Sequence, residues 1–211
     1  MPNSLVTAII RGLCLAPLCL AWAGGPFHTV SKDEKNVVQF TSEATMEKII
    51  GRTSAVSGSV ELNLENLAAT TTGSFAVELE TLDTGLALRN QHMRENHLET
   101  KRHPQAVFTL KRLENPSKAN RSTGDEVTAT AVGDLSLHGI TKEYAVPLTL
   151  RYLAAGGEAE KRLSGGKGNL LYVTANWSIK LDDHQIKRPE FLFLRLSPEQ
   201  KIDLSVALTD Q

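Results

Sequence analysis

Apolar and polar residues alternate at period two along most of the chain, the pattern of strands that bury one face and wet the other. Val38 and Phe40 share a face over residues 37–42, and Val60, Leu62 and Leu64 do so over 58–64. Phe75, Val77 and Leu79 alternate with Ala76, Glu78 and Glu80, and Phe108 and Leu110 with Thr109 and Lys111. The second half carries longer runs. Val127, Ala129, Ala131, Gly133, Leu135 and Leu137 form one face, and Tyr144, Val146, Leu148, Leu150 and Tyr152 the next. Leu171, Val173, Ala175, Trp177, Ile179 and Leu181 follow, then Ile202, Leu204, Val206 and Leu208.

Eight antiparallel strands with one apolar face can form a two-sheet sandwich or a closed barrel. The long later runs favour the barrel, so the predicted fold is all-β: an elongated eight-stranded antiparallel barrel of the lipocalin or streptavidin kind. His138-Gly139, the polar stretch 70–73 and the glycine-rich loop 155–169 read as hairpin turns. Residues 83–102 break the alternation and supply one short crossing helix, with Thr84 as a cap and Leu86, Met93 and Leu98 as its apolar residues. The face Ala129-Ala131-Gly133 is rich in small residues. It either leaves space for a ligand or fits the taper of a filled barrel.

The N-terminal residues change the picture of where the chain works. Residues 1–12 hold one charge, Arg11, and the apolar stretch 13–21 ends in Ala21-Trp22-Ala23, a small-x-small cleavage pattern. Residues 1–23 are therefore expected to be a signal peptide cleaved before Gly24, leaving a single domain, 24–211, in the periplasm or outside the cell. The apolar run is shorter than the roughly 20 residues that span a bilayer, and Pro17 interrupts it. Leu13 and Leu18 stand where lipidation before Cys14 or Cys19 would need a small residue. Both cysteines fall in the leader, so no disulfide is expected afterwards. Cleavage leaves 22 basic against 24 acidic residues, which excludes a nucleic-acid surface.

Catalytic signatures are missing: no G-x-S-x-G elbow, no H-E-x-x-H and no Walker loop, and Gly165-Gly166-Lys167-Gly168 lacks the spacing of a phosphate loop. Asp182-Asp183 beside His184 reads as a turn rather than an acid/base pair. Of the six histidines, His92, His97 and His103 are close in sequence, but a five-residue step puts His92 and His97 on different faces of an α-helix. Spacing thus argues against a metal, and no cofactor is expected. Arg89, His92 and Asn96 share a helical face that either meets a polar head group or is simply solvated, the solvated reading being the stronger on spacing alone.

Two segments carry a family resemblance. One runs from Leu82-Asp83-Thr84-Gly85 through Arg89-Asn90-Gln91-His92-Met93-Arg94 to Leu98-Glu99-Thr100-Lys101-Arg102-His103-Pro104-Gln105-Ala106-Val107-Phe108. The other is Gly133-Asp134-Leu135-Ser136-Leu137-His138-Gly139-Ile140-Thr141-Lys142 with Val146-Pro147-Leu148. These resemble the YceI (polyisoprenoid-binding) family, secreted or periplasmic proteins that hold long isoprenoid lipids inside an elongated barrel. The sequence departs from the family at Asn90, usually acidic, at His103, usually aromatic, and at residues 182–189. The resemblance implies binding, transport or storage of a quinone-like or polyprenyl phosphate lipid, without catalysis. The expected ligand-binding set is Phe75, Val77, Leu79, Phe108, Ala129, Ala131, Gly133, Leu135, Tyr144, Val146, Leu148 and Trp177, with Arg89, His92 and Met93 at the mouth. Compatible partners are the isoprenoid lipid, transient membrane contact and a homodimer. The competing readings are an enzyme using His92 with a carboxylate on such a lipid, and an accessory or stress protein with a filled core.

Overall fold

A computed structural model describes residues 26–30, 36–44, 47–120, 122–163, 166–188, 190–191 and 194–211. The expected signal peptide, Gly165 and Pro189 lie outside the described residues. Period-two stretches form eleven strand segments: β1 Phe27–Thr29, β2 Val37–Ala44, β3 Lys48–Thr53, β4 Val56–Glu61, β5 Thr72–Glu78, β6 Gln105–Glu114, β7 Glu126–Leu137, β8 Ile140–Leu153, β9 Leu170–Lys180, β10 Glu190–Phe191 and β11 Leu194–Thr209. Two short helices accompany them, α1 Ala87–His92 and α2 Gly157–Arg162.

Each strand from β4 to β9 pairs antiparallel with the next, and β9 pairs with β11. The free side of β11 takes both β2 and β1, through Ile202↔Phe40 and Thr209↔His28, while β2 pairs β3 and β1 pairs β4. So β1 and β2 are one interrupted stave, β3 and β4 another, and the segments close into an eight-stave antiparallel barrel. Asn36 bridges the first interruption. Its amide donates to the Val30 carbonyl at 2.8 Å and accepts the Ala207 N–H at 2.9 Å, standing in for a strand neighbour.

The eight alternating runs become the eight staves. Three short segments lie outside the predicted runs: β1 has three residues, β10 has two, and Ile49-Ile50 in β3 breaks the alternation. One strand is shorter than predicted. β4 stops at Glu61, and Leu62 and Leu64 turn with Leu67 across the barrel end, each at most 4% exposed. Together with Phe27, Val127, Leu171 and Leu208, all at or below 1%, they seal that end as a floor.

The loop 155–169 contains α2, which the five glycines had marked as plain turn. Ala159 is fully buried among Leu153, Leu170 and Ala207, so α2 covers a small apolar patch outside the barrel. At the opposite end, the connection from β5 to β6 runs across the opening as a 3₁₀ turn, Leu79–Thr81, then α1, then a π-helical turn, Met93–His97. Its entry is pinned by reciprocal backbone bonds between Arg52 and Asp83, both 2.9 Å.

Candidate functional site

Between the floor and the crossing segment the barrel is hollow. The cavity measures about 1020 Å³ and is walled by inward residues of every stave. Three phenylalanines explain how a wall carrying bulky rings stays open. A Cβ on Gly51 would lie 2.2 Å from the Phe40 ring, one on Gly58 2.6 Å from Phe75, and one on Gly133 2.7 Å from Phe108. Each ring therefore rests in space that a side chain on the neighbouring stave would take. Aromatic bulk is drawn to the wall, away from the lumen.

Twelve of the expected ligand residues line this cavity: Phe75, Val77, Leu79, Arg89, His92, Met93, Phe108, Ala131, Leu135, Val146, Leu148 and Trp177. Three do not. Gly133 points inward but is covered by Phe108, and its Cβ would also come within 2.4 Å of the Thr109 carbonyl. Ala129 belongs to the packed core nearer the floor. Tyr144 turns to His184, its hydroxyl donating to Nε2 at 3.0 Å with the rings stacked. The small-residue face thus divides, with Ala131 opening space and Ala129 and Gly133 fitting packed surroundings.

Polar lining residues gather at the mouth: Thr84, Arg89, His92, Asn96, His97, Lys187 and Arg188, with Ser42 and Gln200 opposite each other on β2 and β11. Among the described residues, Ser42 Oγ and Trp177 Nε1 are buried polar atoms without a hydrogen-bond partner. Both can serve a polar atom of a ligand. Arg89, His92 and Asn96 reach the mouth together, as their spacing suggests. His97 joins them because five residues is about one turn of a π-helix, closed here by the Leu98 N–H to the Met93 carbonyl at 2.8 Å. On an α-helix the same five-residue step would separate the two histidines. Lys187 and Arg188 arrive from a remote turn, and nothing in their own sequence neighbourhood marks them.

Arg89 is more clamp than free cation. Its Nε donates to Thr84 Oγ1 and its Nη2 to the Thr84 carbonyl, both at 2.9 Å, and Nη1 lies 3.6 Å from Glu47. Thr84 does not cap α1, whose N-cap position is Leu86. Instead its N–H and hydroxyl both donate to Asn90 Oδ1, at 2.8 and 2.7 Å. Asn90 also donates to Asp83, whose carboxyl is held below its ordinary range by the Gly85 N–H and by Asn90. Asn90 therefore organises the mouth by giving and accepting at once, which an acidic side chain could not do. Beside this network Leu86 and Leu88 stand 56% and 66% exposed.

Asp182, Asp183 and His184 form the expected turn, a 3₁₀ segment Leu181–His184. His184 is fully buried. Its Nδ1 donates to the Ile140 carbonyl at 3.2 Å, which leaves Nε2 to accept from Tyr144. Burial holds His184 below its usual value, so the ring is neutral. It works as a structural post behind the wall.

Residues 29–208 match the YceI-like domain family. The chain belongs to that family. A UPF0312 protein of Pseudomonas putida (strain W619) is 30% identical over 136 residues, 63% of this chain and 59% of that protein. The alignment thus reaches less than two thirds of the relative's length. A polyisoprenoid binding domain from Saccharophagus degradans superposes with a TM-score of 0.64 at 15% identity, covering 89% of this chain and 99% of that one. BcnA of Burkholderia cenocepacia gives 0.59 at 14% identity over 81% and 95%. The YCEI protein of Campylobacter jejuni gives 0.58 at 15% over 79% and 88%. At these identities the YceI-like barrel itself is what the solved structures share with this chain.

Proposed function

We propose that this protein is exported and binds a long-chain isoprenoid lipid, quinone-like or polyprenyl phosphate, as a carrier or store in the periplasm or outside the cell. The observation that carries the reading is a large apolar channel, sealed at one end and rimmed with polar and cationic groups at the other. If each carbon group takes up roughly the liquid volume of a water, ~30 Å³, 1020 Å³ holds on the order of thirty of them. At ~0.8 kcal/mol per buried group the gross term exceeds the ~20 kcal/mol at which affinities saturate, so ordering of the tail and its membrane alternative offset the rest. Tail length then follows from the depth to the floor, and head-group preference from the mouth.

Binding rather than catalysis is favoured by the lining. Among the described residues, no carboxylate lines the cavity to partner His92 as acid or base. The cavity also speaks against an accessory protein with a filled core. Exposed Leu86 and Leu88, beside Arg89, are where a tail passing from a membrane to the channel first meets apolar protein surface.

The test is extraction and mass spectrometry of protein purified from its native envelope. An isoprenoid lipid at near one per chain is expected, and an empty barrel in repeated preparations would overturn the reading. Trp177 offers a second readout, because the other tryptophan, Trp22, lies in the expected leader. Titrated quinone should quench Trp177 fluorescence in the wild type but not in Ala131→Phe, whose ring occupies the lumen.

A further inference from the structure

Behind the mouth, outside the cavity lining, Glu99, His103 and His138 converge. We propose that these three side chains form a binding site for a divalent transition-metal ion of the zinc type, latching the crossing segment to the β7–β8 hairpin. One ligand atom from each lies within 4.8 Å of the others. His138 Nε2 is 3.6 Å from Glu99 Oε1, and tetrahedral ligands around zinc sit roughly 3.4 Å apart. A small closure would complete the geometry.

The chemistry of each group fits. His138 Nδ1 lies 3.0 Å from the His184 carbonyl, which can only accept, so Nδ1 carries the proton. That leaves Nε2 as the ring nitrogen available to a metal; it is buried and makes no hydrogen bond. A ligating histidine whose other nitrogen donates to a carbonyl is the arrangement metal sites use to fix the ring. Glu99, in a left-handed conformation, and His103 bracket a tight turn closed by the His103 N–H donating to the Glu99 carbonyl at 3.0 Å, and the turn brings their ligand atoms within reach of each other. Arg102 Nη1 holds Glu99 Oε2 at 2.5 Å, leaving Oε1 toward His138. The same contact keeps the carboxyl below its usual range, ionised and ready to ligate, while Arg102, 73% exposed, is screened by solvent.

His103 packs on Gly139, where a Cβ would lie 2.9 Å from its ring, and its centroid is 4.9 Å from that of His138. Two imidazoles and one carboxylate leave a fourth position for solvent, the ligand count of an open zinc site. Spacing among His92, His97 and His103 cannot mark this cluster, because His138 comes from a hairpin 35 residues beyond His103.

The test uses untagged full-length protein stripped with a chelator, titrated with zinc by calorimetry and with cobalt by visible absorption. One ion per chain is expected, with micromolar or tighter affinity, tetrahedral cobalt bands and a higher Tm with zinc. His103→Phe keeps an aromatic over Gly139, and His138→Asn keeps a residue suited to the left-handed turn. Each should weaken zinc by at least about a hundredfold, whereas His97→Ala should leave it unchanged. Binding no tighter than millimolar, or undiminished in either of the first two variants, would overturn the site.

Discussion

The two ends of the barrel are built from the same alternating strands and differ in what their connections bring. At the floor, the β4–β5 connection turns Leu62, Leu64 and Leu67 inward, and they meet Val127, Leu171 and Leu208 in a packed core. At the mouth, the β5–β6 connection crosses the opening but leaves Leu86 and Leu88 exposed at the cavity rim instead of packed into it, while rings of the wall rest over glycines. One strand pattern therefore yields both a solid core and a channel. Hollowness here is decided by connections and by where aromatic rings are parked, both of which lie outside the strand period.

Truncating one leucine in the floor and one in the channel wall would break this comparison most directly. Leu171→Ala in the floor should cost about 2–5 kcal/mol of unfolding free energy. Leu148→Ala in the channel wall should cost about 1 kcal/mol, because Leu148 already lacks packing partners on its lumen side. Equal losses in urea denaturation would mean the channel is as tightly packed as the floor. Next in size, Asn36→Ala removes both bonds that bridge β1 and β2 and should cost about 1–3 kcal/mol, with the largest rise in amide exchange at Ala207, whose N–H loses its acceptor.

Gly51→Ala tests the parked rings. The added methyl displaces the Phe40 ring toward the lumen, so lipid capacity should fall several-fold while the fold persists; unchanged capacity would show that Phe40 has another place to go. Acid should distinguish the ends in turn. Because burial depresses His184, the unfolded chain takes up a proton first, and stability present above about pH 6.5 is lost as pH falls through the lowered value. The turn 181–184 and the 138–139 hairpin should lose exchange protection before the floor, and His184→Asn should flatten that slope. The smallest effect on stability belongs to Leu86→Ser with Leu88→Ser: within about 0.5 kcal/mol, but with slower lipid uptake from vesicles.

Much of the site was legible because it is periodic. An inward position on a strand stays inward whatever the partner, so Val77, Phe108, Ala131, Val146 and Trp177 could be placed on the wall from alternation alone. The misses share a cause. Gly133 and Ala129 have the right parity but the wrong neighbours, and Tyr144 is held by a histidine forty residues away. His97 was misplaced because the turn widened from α to π. Lys187, Arg188 and the Glu99–His103–His138 cluster join residues from separate connections.

By itself, the sequence determined the eight staves, their inward faces and the interruption that became the crossing segment. These follow from period and local backbone preference, which act over a few residues. Only the tertiary structure decided that two staves are broken, that one end is sealed and the other open, and which polar groups meet at the rim. Those outcomes depend on volume and hydrogen-bond satisfaction among residues far apart in the chain, and no local pattern encodes such sums.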